Sequence, residues 1–143
     1  MKVKIKRIDK DLPLPTYGTP AAAAVDLYSR VDMKIAAQSI GFVPANVIVC
    51  APPGHAFIIV PRSSTPARKG LSIPHGIGIV DSDYCGPEDE IKMQFFNFTD
   101  KEVEIKRGDR IGQGFFMPVE KIEWEELDEL AGTSRGGYGS TGV

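Results

Sequence analysis

The sequence is poor in cysteine. Only Cys50 and Cys85 occur among 143 residues, far apart and outside any CxxC arrangement. They suggest neither a disulfide framework nor a zinc site. The sequence also has no apolar run near the ~20 residues that a membrane-crossing helix needs. Positive charge is not in excess: 17 Lys and Arg stand against 19 Asp and Glu, for a net charge of -2. That argues against a protein that binds a nucleic acid polymer, which needs a basic face to displace counterions. A small phosphate ligand stays open, because a few arginines and backbone N–H groups suffice for it. The opening Met1-Lys2-Val3-Lys4-Ile5-Lys6 lacks the apolar centre of a secretory signal. A cytoplasmic protein with no membrane partner is expected.

Glycine and proline, by contrast, are plentiful, at 15 and 11 residues, and favour a turn-rich β fold over a helical bundle. Val3 and Ile5 alternate with lysines, as a half-buried strand does. A β-like stretch is expected from Val25 to Ile35. Strands are also expected around Phe42-Val43, Val47 to Val49 and Phe57 to Val60, split by Pro44 and by Pro52-Pro53-Gly54. Ile91, Met93 and Phe95 alternate with polar neighbours, Asn97 to Lys101 is turn-like, and Val103 and Ile105 alternate again; the pattern predicts a hairpin. One short helix is expected on Trp124, Leu127 and Leu130, spaced three apart among acidic residues. From Ala131 onward the composition of Gly, Ser and Thr predicts a flexible arm. The expected organisation is one all-β domain over residues 1–130, a sandwich, barrel or jelly roll. Residues 131–143 form an arm that is not a separate domain.

Five segments carry polar groups that packing does not require. Ala24-Val25-Asp26-Leu27-Tyr28-Ser29 sets a carboxylate within a strand, a ligand type that Mg²⁺ accepts. Pro61-Arg62-Ser63-Ser64-Thr65-Pro66-Ala67-Arg68-Lys69-Gly70 gathers hydroxyls and cations suited to an anion. Gly78-Ile79-Val80-Asp81-Ser82-Asp83-Tyr84 delivers two carboxylates and a tyrosine at a strand end. The spacing of two predicts Asp81 and Asp83 on one side of an extended chain, where they could polarise a water or hold a metal's waters. Arg107-Gly108-Asp109-Arg110-Ile111-Gly112-Gln113 reads as a turn with Asp109 and Arg110 in solvent. In Arg135-Gly136-Gly137-Tyr138-Gly139-Ser140-Thr141-Gly142, glycines can wrap phosphates, Arg135 can meet a γ-phosphate and Tyr138 can stack on a base. Taken singly, each segment also reads as a solvated turn or tail.

Together and in this order, the five segments resemble the ordered motifs of the trimeric dUTPase family, from about Tyr17 to Gly142. The resemblance implies a jelly-roll-like β barrel, a homotrimer with active sites shared between subunits, and a C-terminal arm that closes as a lid. It implies hydrolysis of dUTP to dUMP and pyrophosphate, with Asp81 activating the water that attacks the α-phosphorus in line. It further implies that Tyr84 packs under the deoxyribose, and that His75, Gly78, Ile79 and Val80 belong to a hairpin reading uracil. Arg62, Ser63, Ser64 and Gln113 would contact phosphates, and Lys92 would lie near the substrate. Arg135, Gly137, Tyr138, Ser140 and Thr141 would bind substrate from the arm. Mg²⁺ would ride mainly on the phosphates, with Asp26 helping through water.

The sequence departs from the family pattern at several places. Ala24 stands in place of a usual Gly, and His75 in place of a uracil-contacting Asn. Cys85 replaces a common Arg, Pro87-Glu88-Asp89 is inserted, and the stretch between Arg135 and Tyr138 is short. The imidazole of His75 can donate or accept, and the sequence leaves its tautomer open. Two other readings compete. One is a dCTP deaminase of the same fold, using Glu88, Asp89 or Glu90 as proton shuttle. The other is a silent β scaffold that binds a nucleotide or a protein. The Asp-Ser-Asp-Tyr turn and the glycine-rich arm favour the diphosphatase.

Overall fold

The computed structural model describes residues 1–137. Short β-branched runs cut by Pro and Gly become strands. In chain order they are β1 (Lys4–Arg7), β2 (Val25–Tyr28), β3 (Met33–Ile35), β4 (Ile40–Pro44), β5 (Val47–Cys50) and β6 (His55–Pro61). A single-turn helix α1 (Thr65–Lys69) follows, then β7 (Leu71–Ser72), β8 (Gly78–Val80), β9 (Lys92–Asn97), β10 (Val103–Ile105) and β11 (Arg110–Pro118). All pairings are antiparallel. They build a sheet ordered β2-β11-β6-β8, a sheet β4-β9-β7, and the pairs β1-β5 and β3-β10. The architecture is of jelly-roll type. Among the described residues the ladders stop at these sheets and do not close into a continuous hydrogen-bonded barrel.

The core lies between the sheets. Leu27, Val43, Phe57, Leu71, Met93, Phe95 and Ile105 are all at most 2% exposed. Alternation on β9 buries Met93, Phe95 and Asn97 while the residues between them face outward. Gly114 on β11 makes room for the Phe57 ring, since a Cβ there would stand 2.1 Å from Phe57 Cζ. Phe57 also meets Phe116 with ring centroids 4.9 Å apart, within the range of favourable aromatic pairs.

Four expectations need correction. The stretch from Val25 to Ile35 is two strands, because Ser29 turns the chain: its Oγ donates to Val31 O (2.7 Å). The expected hairpin over residues 91–105 does not form; β9 pairs with β4 and β7, and β10 pairs with β3. The reason is Asn97, whose buried amide donates to Ile35 O (2.9 Å) and Lys101 O (2.7 Å), turning the chain toward β3. The helix expected at Trp124 is absent, and residues 119–137 hold neither helix nor strand. Trp124 and Leu130 are each 85% exposed, so the apolar stripe has nothing among the described residues to pack on. Lastly, the second motif contains the helix α1 rather than only a solvated turn. Pro66 at its start and Gly70 at its end, with φ 64°, are the punctuation that marks it.

Gly114→Ala is expected to destabilise the fold by roughly 1–3 kcal/mol, the cost of overpacking beside the buried Phe57 ring. A lower urea midpoint with an unchanged slope would show it; an unchanged midpoint would mean the Phe57 ring has room to shift.

Candidate active site

The third motif forms a β-turn rather than an extended segment, with Tyr84 N donating to Asp81 O (3.2 Å). In such a turn the first and fourth residues come together. Asp81 and Tyr84 therefore face one groove of about 400 Å³, which His75, Gly78, Ile79, Val80 and Lys92 also line. Asp83 does not line that groove; it lines a neighbouring hollow with Ser82 and Glu120, which Asp81 also borders, so the two carboxylates share the hollow but not the groove. The groove is mostly apolar with a few polar side chains, and of a size that takes a nucleoside.

Each lining residue has a structural reason to be there. β8 pairs with β6 through Gly78↔Ile59, Ile79↔Ile58 and Val80↔Phe57, so the hairpin strand rests on the core sheet. The far end of the loop is anchored by Glu90, which is 8% exposed. Glu90 takes both Nε and Nη2 of Arg30 at 2.8 Å and also accepts from Asn46 N (3.0 Å). The inserted residues make their own turn, with Gly86 N donating to Asp89 Oδ2 (2.6 Å). Lys92 then opens β9. Phe42 and Gln94 also line the groove, and sequence reasoning missed both. The period of two on β9 sets Gln94 on the face of Lys92 and could have found it; Phe42 carries no such signal.

The phosphate-type segment lies elsewhere. Arg62, Ser64, Arg68, Lys69, Asp109 and Arg110 line a second hollow of about 240 Å³ that shares no lining residue with the groove. Ser63 is exposed beside it. Ser64 stands at the cap of α1 but makes no side-chain cap hydrogen bond. Asp26, 4% exposed, sits between two guanidinium groups: Arg110 Nη1 donates to its Oδ2 at 3.1 Å, and Arg62 Nε lies 3.2 Å from its Oδ1. A bulge in β11 shifts the register between Arg110 and Gly112; Arg110 stays exposed, as expected, while its guanidinium pairs with that carboxylate. Asp109 is also engaged, with Lys69 Nζ at 2.8 Å and Lys106 N at 3.2 Å on its Oδ2. Partial burial pushes the Asp109 carboxyl up, but these donors and cations outweigh it and hold it below the ordinary carboxylate range.

Gln113 pairs with Asp26 and Val60 in the middle of the sheet and lines neither hollow. Arg135 and Gly137 are exposed in the C-terminal segment, away from both hollows. Tyr138, Ser140 and Thr141 lie outside the described residues.

Among the described residues no group of three or more His, Cys, Asp or Glu could cage an ion. Asp26 Oδ1 is buried without a hydrogen bond, and it is the one such orphan oxygen among the described residues. That donor set does not suit a protein-built metal centre. It suits an ion held chiefly by phosphates with one outer contact to a carboxylate, the arrangement Mg²⁺ favours.

Cys85 is not alone after all. Cys50, distant in sequence, interacts with it; this contact, then burial, then nearby carboxylates push the Cys85 thiol up. Both thiols are free.

An all-β chain with a nucleoside-sized groove and a separate cationic hollow defines a nucleotide-handling β protein. Its relatives make that definite. The dUTPase family model matches residues 10–142. The deoxyuridine 5'-triphosphate nucleotidohydrolase of Dictyoglomus turgidum is 42% identical, over 100% of this chain and 99% of its own length. The crystal structure of the dUTPase from Streptococcus mutans superposes with a TM-score of 0.77 at 33% identity, covering 84% of this chain and 98% of that one. A mutant dUTPase from phage phi11 of S. aureus, whose structure shows the coordination of a structural Mg(II) ion, superposes at TM-score 0.78 and 17% identity, covering 90% and 98%; at that identity the likeness is one of fold. This chain belongs to the dUTPase family.

Because Asp109 is depressed on folding, its stabilising effect is full above about pH 4 and is lost as pH falls through its folded value. Asp109→Asn is expected to lower stability at pH 7 by under ~1 kcal/mol, since the pair is about a third exposed, with the gap closing toward pH 3. Urea unfolding of both proteins at pH 7 and pH 3 checks this; a gap that persists at pH 3 would contradict it. Likewise, Cys50→Ala should speed iodoacetamide alkylation of Cys85 at pH 8, because more of it would be thiolate.

Proposed function

We propose that this chain is a dUTP diphosphatase, hydrolysing dUTP to dUMP and pyrophosphate. The observation that carries the reading is the meeting of Asp81, Tyr84, Lys92 and the His75–Val80 hairpin at one groove, in a chain of the dUTPase family. Asp81, solvent-accessible at the groove's edge, orients a water and takes its proton as the water's oxygen attacks the α-phosphorus; pyrophosphate departs on the opposite side. Tyr84 packs against the sugar, where a 2′-hydroxyl would collide. Hairpin groups read the base. Lys92 and the arginines meet the negative charge of the phosphates, so that most of the catalysis is positioning and electrostatics. Mg²⁺ on the phosphates would neutralise part of their charge, and Asp26 is the residue that would help hold it through water.

The active form is a homotrimer. Within one chain the groove and the cationic hollow share no residue, yet a nucleoside triphosphate needs both kinds of group; a neighbour's Arg62, Ser63, Ser64 and Gln113 would complete the groove of the first subunit. The arm from residue 131, carrying Arg135, Gly137, Tyr138, Ser140 and Thr141, closes over the triphosphate and excludes water other than the nucleophile. Residues 1–130 are then the domain proper. The cellular consequence is a low dUTP pool, which limits uracil incorporation into DNA, and a supply of dUMP for dTMP synthesis. The site is cytoplasmic; among the described residues no helix is long and apolar enough to cross a membrane.

Pyrophosphate release from dUTP, dCTP, dTTP and UTP with Mg²⁺ tests the reading. Turnover of dUTP above the other three is expected, and ammonia release from dCTP would favour the deaminase instead. Asp81→Asn should lower kcat by about 10²–10⁴-fold with little change in the unfolding midpoint. Turnover equal to wild type would remove Asp81 from the mechanism.

A further inference from the structure

The base-reading hairpin carries a histidine whose hydrogen bonding is fixed by its own backbone. His75 Nδ1 lies 2.6 Å from Ile77 O, and Ile77 N donates in return to His75 O at 3.1 Å. Gly76, between them, has φ 82°, which closes the turn tightly around this reciprocal pair. A carbonyl oxygen can only accept. The hydrogen between His75 and Ile77 must therefore sit on Nδ1. A neutral imidazole has one N–H, so Nε2 then carries a lone pair.

His75 lines the groove together with Gly78, Asp81 and Tyr84. The Cε1 edge of the ring faces β8 at Gly78, 3.8 Å from where a Cβ would stand, and Nε2 has no hydrogen-bond partner among the described residues. The charged groups that share the groove are Asp81 and Lys92.

We infer that His75 is a specificity-determining residue that presents Nε2 as an acceptor to the base, selecting a pyrimidine whose N3 bears a hydrogen. Uracil has that hydrogen. Cytosine has a lone pair at N3 and meets Nε2 lone pair to lone pair. The turn supplies the discrimination by holding Nδ1–H, which prevents the ring from offering its hydrogen to the ligand. Thymine shares the N3 hydrogen, so His75 does not separate it from uracil; that falls to the space around the base. This inference rests on the dUTP reading of the groove.

Two measurements test it. The first needs no nucleotide. Long-range proton–nitrogen spectra of the folded protein at pH 8, with His75 assigned by its loss in His75→Gln, should show a protonated Nδ1 and a bare Nε2. The opposite tautomer overturns the inference. The second compares kcat/KM for dUTP and dCTP at pH 8 in wild type, His75→Ala and His75→Asn. Loss of the acceptor in His75→Ala should cut the dUTP to dCTP ratio by about tenfold or more. His75→Asn, with an amide oxygen that can accept, should recover most of it. Wild-type hydrolysis of dUTP with an unchanged ratio in His75→Ala overturns the inference and leaves the functional reading standing. No hydrolysis of dUTP by wild type overturns the functional reading, and the inference with it.

Discussion

The buried carboxylate of Asp26 organises much of the polar side of this molecule. A carboxylate stripped of water is tolerable only when cations or donors replace its hydration. Two arginines do so, from the end of β6 and the start of β11, the two strands paired with each other in the same sheet as β2. The charge therefore ties three strands at one point. It also fixes where two guanidinium groups stand. Arg62 and Arg110 remain 30% and 49% exposed in their side chains, and the faces not turned to Asp26 line the cationic hollow. One carboxylate thus positions the cations that a phosphate would meet, and limits how far they can follow it.

The groove follows a different logic. β8 pairs with the core strand β6, and the groove's polar groups come from turns at both ends of β8 and from the start of β9. Turns allow close approach and particular directions that strands do not. The His75–Ile77 turn aims an imidazole, and the Asp81–Tyr84 turn brings a carboxylate and a ring to one side. The Arg30–Glu90 pair then locks the chain as it re-enters the core, so that the inserted Pro87–Asp89 loop need not disturb either turn.

Much of this was legible in the sequence. Apolar alternation located the strands, because a half-buried pleated chain leaves that imprint; Met93, Phe95 and Ile105 are buried as the pattern requires. The motifs placed His75, Asp81, Tyr84 and Lys92 near one another, as they are. What failed had non-local causes. Periodicity around Asn97 cannot say which strand is the partner, and the answer depends on a side-chain amide bonding to residues some sixty positions earlier. The spacing of Asp81 and Asp83 implied an extended chain, whereas the chain turns there and only Asp81 reaches the groove. Arg110 is exposed as read, but its pairing with the buried Asp26 leaves no trace in composition. The Cys50–Cys85 neighbourhood is likewise a product of folding, with no trace in spacing.

The segment after β11 leaves Trp124, Leu127 and Leu130 uncovered, and Trp124 is the single tryptophan of the chain. Its indole stands in water, so its emission should be that of a solvated fluorophore, red-shifted and open to collisional quenchers. Nothing in the core contributes tryptophan light to mask it. The molecule thereby contains its own optical gauge at the root of the C-terminal segment: any surface that comes to rest on that segment, from a second copy of the chain or from elsewhere, is registered as a blue shift and a loss of quenching, without a label and without touching the groove.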